Sequence, residues 1–103
     1  MSEDKKPKHY ASLLEKHPDY IQAVENLGRA VQAAGPLDAK TVQLIQLAAA
    51  AAQRSEGATL SHVRRALEAG ATPEEVRHAV IALTSTIGFP TVAAALSWID
   101  KVA

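Results

Sequence analysis

Apolar residues recur along this chain at steps of three and four, and nowhere in sustained alternation with polar ones. That period belongs to helices with one buried stripe. β-branched residues never cluster between turn signals, so no strand is predicted. Ile21, Val24, Leu27 and Val31 form one stripe, on a helix capped by Asp19 and running to about Ala34. Val42, Ile45 and Ala49 form a second, widened by Leu44, Leu47 and Ala48, on a helix from Ala39 to about Arg54. Val76, Val80, Leu83 and Ile87 make a third stripe; Val92, Leu96 and Ile99 make a fourth, flanked by Trp98.

The residues between the stripes punctuate them. A short first helix over Tyr10–Lys16 ends at His17-Pro18, because the residue before proline disfavours helical backbone. Gly35-Pro36 closes the next helix, and Asp38 caps the one after it. Ser55-Glu56-Gly57 interrupts the chain before a helix over Ala58–Ala69, which Gly70 terminates. Thr72-Pro73-Glu74-Glu75 supplies an N-cap, a proline at the first helical position and an acid at the third, a capping box. The helix it starts runs to Gly88, and Pro90 opens the last one. The prediction is an all-α, single-domain bundle of five to six helices over residues 9–103, preceded by a charged, disordered tail over residues 1–8.

Composition changes this picture in three ways. Alanine fills 21 of 103 positions and only four residues are aromatic, so the core is thin for a domain standing alone, and self-association is expected. Lys plus Arg and Asp plus Glu number 11 each, and this balance excludes a nucleic-acid binder with a basic face. The absence of cysteine removes disulfides, thiolate metal sites and thiol-based redox chemistry. The longest apolar run, Leu47–Ala52, is far below the roughly 20 residues that span a bilayer. The N-terminal residues lack the apolar segment of a signal peptide. A cytoplasmic protein without membrane partners is expected.

His62 is the main candidate for chemistry, since imidazole exchanges protons near neutral pH. It shares a helix face with Ala58 and Ser55. Seven helical residues rise about 10.5 Å, too far for a direct Ser55–His62 bond unless Gly57 bends the chain. The structural reading is a helix histidine beside a capping serine. Arg54 closes an apolar helix next to the interruption, where a cation can hold a carboxylate. Arg64, Arg65, Arg77 and His78 read as solvated faces. Gln43 and Gln46 lie on the Ala39–Arg54 helix, and Thr84, Ser85 and Thr86 precede Gly88. Each set reads either as internally bonded or as lining a small pocket. The four histidines lack metal-ligand spacing, so no metal is expected.

With these residues in place, the chain resembles the carboxymuconolactone decarboxylase family, whose fold is that of alkylhydroperoxidase D. The resemblance runs from about Asp19 to Ala103. It is carried by Gly35-Pro-Leu-Asp-Ala-Lys-Thr, Leu44-Ile-Gln-Leu-Ala, His62-Val-Arg-Arg-Ala-Leu-Glu-Ala-Gly-Ala-Thr-Pro-Glu-Glu-Val, and Gly88-Phe-Pro with its alanine-rich helix. It implies an all-α fold assembling as a trimer or hexamer. Aligned on His62, the peroxidase branch implies a glutamate at Gln43 and redox cysteines at Ser55 and Ala58. Only the histidine remains, so the redox relay is absent. The decarboxylase branch implies a cofactor-free lyase acting on a small carboxylic acid or lactone. In that reading His62 is the acid, Arg54 the cation, and Gln43 or Ser55 a hydrogen-bond donor, with Glu56 and Ala58 beside the substrate. The alternative is a non-catalytic small-molecule-binding or structural homologue.

Overall fold

The structure, a computed structural model, describes residues 8–103, and these contain seven helical segments and no strand. The tail expected over residues 1–8 lies outside the described residues except for Lys8, which already begins a helix. Contacts group the chain into two units, with the boundary between Pro36 and Leu37.

The first unit holds α1 (Lys8–Lys16) and α2 (Pro18–Ala33), packed on each other. The Tyr10 hydroxyl donates to the Glu25 carboxylate between them. α2 starts two residues earlier than expected. Pro18 occupies its first turn, where the missing N–H costs nothing, and His17 is the cap residue. Asp19 does not cap; it sits in the first turn, where its charge suits the helix dipole. Of the stripe expected to be buried, only Ile21 is; Val24, Leu27 and Val31 stay open, Leu27 at 63%. Periodicity reports an apolar face, not what covers it.

The second unit is built from α3 (Ala39–Ala52), α4 (Glu56–Glu68), α5 (Pro73–Ile81), α6 (Thr84–Ile87) and α7 (Phe89–Ile99). Its core is Leu47 and Ala51 from α3, Val63 and Ala66 from α4, Ala71, Val76 and Val80 from α5 and its approach, and Val92, Ala95 and Ile99 from α7. Four of these ten are alanine, so the helices approach closely and each contact buries little area. On α3 the buried face is Leu47, Ala50 and Ala51, with Leu44 partly buried. Ile45 is 52% exposed and Ala49 also faces outward, contrary to the expected stripe. The five-alanine run carries too little contrast for the pattern to choose between the faces.

Local chemistry sets the helix ends. The Asp38 carboxylate accepts from Thr41 N at 2.8 Å. The Thr72 hydroxyl accepts from Glu75 N while Glu75 Oε1 accepts from Thr72 N, both at 3.0 Å, completing the capping box. Lys40 reaches the same Glu75 at 3.2 Å and ties α3 to α5. The helix from Thr72 does not run unbroken to Gly88. Leu83 N turns back to Val80 O and the Thr84 hydroxyl donates to Ile81 O at 2.7 Å, ending α5 and leaving α6 as one turn. Among the described residues no helix is long and apolar enough to cross a membrane.

Candidate functional site

α3 and α4 form a hairpin closed by Gln53, Arg54 and Ser55. A connection this short makes them antiparallel, so Gln43, early in α3, lies across from His62, midway along α4. His62 Nδ1 is 2.9 Å from Gln43 Oε1. The imidazole is half-buried, and that desolvation, helped by the positive charge of Arg65 three residues on, holds its pKa below the ordinary value. The ring is therefore neutral near pH 7, able to take up a proton when a negative charge arrives beside it.

Ser55 has a structural task. Its Oγ accepts from Ala58 N at 3.4 Å, and its carbonyl accepts from both the amide and the hydroxyl of Thr59. That Thr59 bond satisfies the one buried polar side chain among the described residues. α4 begins at Glu56 and runs straight through Gly57, so the expected interruption is confined to the hairpin turn. Without a bend, Ser55 stays about 10.5 Å along the axis from His62 and forms no dyad with it. Glu56 is exposed in the first turn of α4, where its charge complements the helix dipole. Ala58, half-buried on the same turn, lies on the His62 face and offers only a methyl group.

Arg54 is the conformational exception. Its φ is 59°, the one left-handed non-glycine among the described residues. Ser55 N donates to Ala50 O at 3.1 Å and Arg54 N to Ala51 O at 3.0 Å, the paired bonds of a Schellman helix end. The end of α4 repeats the motif, with Ala71 N to Ala66 O and Gly70 N to Leu67 O, but there the left-handed residue is Gly70 at φ 104°. Arginine thus occupies a place that costs it about 1–2 kcal/mol and glycine almost nothing. Its guanidinium donates through Nη1 to the Thr91 hydroxyl at 2.6 Å, in the first turn of α7. Thr91 went unsuspected in the sequence; a hydroxyl just after the Pro90 that opens a helix was the available signal.

The structure thus joins His62 to Gln43 and Arg54 to Thr91, and among the described residues no hydrogen bond links the two pairs. Two of the remaining basic residues are ion-paired, Arg64 with Glu68 and Arg77 with Asp100 at 2.8 Å, while Arg65 and His78 are exposed. Among the described residues no group of three His, Cys, Asp or Glu is placed to hold a metal.

No curated protein matches the chain. The family model described as the carboxymuconolactone decarboxylase family matches residues 18–101, from the first residue of α2 to just beyond α7. The match covers most of the chain and contains both the Gln43–His62 pair and Arg54: this protein belongs to the carboxymuconolactone decarboxylase family.

Proposed function

We propose that the protein is a cofactor-free lyase that removes carbon dioxide from a small carboxylic acid or lactone acid, with His62 as the proton-transfer group. The observation that carries the reading is the half-buried imidazole, kept neutral by desolvation and bonded to Gln43. Loss of carbon dioxide from a carboxylate leaves an electron pair on the substrate, conjugated into its carbonyl, and carbon must then gain one proton. An incoming anion offsets the desolvation and the Arg65 repulsion, so His62 takes up a proton as substrate binds and gives it to carbon as carbon dioxide leaves. His62 starts the cycle as the acceptor and becomes the acid only with substrate present. Arg54 supplies the cation for a substrate carboxylate, and its placement in a left-handed position better suited to glycine supports that role. With no cysteine in the chain, thiol-dependent peroxidase activity forms no part of this function.

We also propose that the protein acts as a homo-oligomer, a trimer or hexamer as the resemblance implies. The open apolar side chains of Leu27, Ile45 and Phe89, and the small-residue core, support this. The test of the lyase is carbon dioxide release from a panel of small lactone carboxylic acids by the pure protein, beside Arg54→Ala. The reading expects release by the parent protein and a raised KM in the variant. A ligand that raises the melting temperature without being consumed would instead favour a binding protein.

A further inference from the structure

We propose that Gln43 is a positioning residue that confines proton exchange to Nε2 of His62. The functional consequence rests on His62 being the proton-transfer group; the tautomer itself does not. Gln43 Oε1 is a carbonyl oxygen and can only accept, so at 2.9 Å His62 Nδ1 must carry the hydrogen and donate it. A neutral imidazole has one N–H, which leaves Nε2 bare. When the ring is protonated, both nitrogens carry hydrogen and the Nδ1–H bond to Gln43 is unchanged. One contact therefore serves both states, and neither a ring flip nor a tautomer exchange is needed between them.

The surroundings support an orienting role rather than a charging one. α3 carries no charged residue from Thr41 to Gln53, and α7, also packed on α4, carries none from Phe89 to Ile99. On α5, Glu75 and Arg77 are engaged with Lys40 and Asp100, while Glu74 and His78 are exposed. Arg65, on the ring's own helix, is the charge that shifts it. A carboxylate at position 43 would also fix Nδ1–H, but would favour the imidazolium and keep the ring charged at rest. The neutral amide supplies the orientation without the charge, and so leaves the ring ready to take up a proton.

The test is a long-range 1H–15N correlation spectrum of the full chain labelled at histidine, recorded above the titration midpoint, with His62 assigned from its loss in His62→Gln. The expected spectrum has Nδ1 protonated and Nε2 bare. Gln43→Leu should give a mixture of tautomers or reverse them. Gln43→Glu should keep Nδ1–H and raise the midpoint by about 1–3 pH units. A parent spectrum with hydrogen on Nε2, or a tautomer unchanged in Gln43→Leu, overturns the proposal. Should Gln43→Leu fail to fold, the parent tautomer and the Gln43→Glu midpoint decide it. An inactive protein with the expected tautomer would defeat the lyase reading and leave this one standing; an active protein with Nε2–H would do the reverse.

Discussion

Arg54 offers a way to separate backbone strain from side-chain function, by comparing Arg54→Gly with Arg54→Ala. Both variants lose the guanidinium and its 2.6 Å bond to Thr91, so that loss cancels between them. They differ in how each tolerates φ 59°. Alanine keeps the left-handed penalty of about 1–2 kcal/mol, which glycine escapes. Against this, glycine loses more freedom on folding, which costs about 0.4–1 kcal/mol. The difference leaves Arg54→Gly more stable than Arg54→Ala by about 1 kcal/mol. Urea unfolding followed by far-ultraviolet circular dichroism, at one fixed protein concentration, measures it as a shift in midpoint at constant slope. In thermal unfolding the same difference is about 4–8 °C. Turnover should fall to the same level in both variants, because neither retains a cation. Equal midpoints, or a more stable alanine variant, would refute the claim that position 54 is held in a conformation suited to glycine.

Thr72→Ala removes half of the capping box at the start of α5 and should destabilise the protein by about 0.5–2 kcal/mol, read from the same urea curves. The lowered pKa of His62 sets a sign for pH dependence: above about 6.5 the ring is neutral folded or unfolded. Below that value the unfolded chain binds the proton more readily, so stability falls with pH until the folded pKa is passed. His62→Gln should make the stability profile flatter in that window, and an unchanged slope would contradict the burial of a neutral ring. Leu27→Glu and Ile45→Glu place a charge on open apolar faces and should lower the assembly state seen by sedimentation. Two unchanged sedimentation profiles would exclude both faces as contacts.

Helix punctuation was legible because it depends on neighbours within one turn. Asp38, Thr72-Pro73 and Gly70 act where the sequence places them, since each satisfies backbone groups of its own helix end. Faces were less legible. The outward turn of Ile45 depends on α4 packing against Leu44, Leu47 and Ala51, and the alanine run hid that choice. The break at Ala82–Leu83 escaped notice because Thr84 looks like any helix hydroxyl until its bond to Ile81 O appears. In the site, His62 stood out by its chemistry, and Gln43 was set apart from Gln46 only through the family resemblance. Their pairing was not legible, because it arises when the hairpin brings residues 19 apart into contact. The left-handed state of Arg54 was not, because position 54 reads as the last residue of a helix and glycine is the usual mark of such a reversal.

The claim on which this account stands is that His62 moves the proton that replaces carbon dioxide. Release of carbon dioxide from a lactone carboxylic acid turned over by the parent protein, compared with His62→Gln at matched folding and assembly, tests it most directly. The account predicts that release falls by about 10²–10⁴-fold, the span of general acid–base catalysis, while the helical content is kept. Release at the parent rate from a folded His62→Gln protein would contradict it.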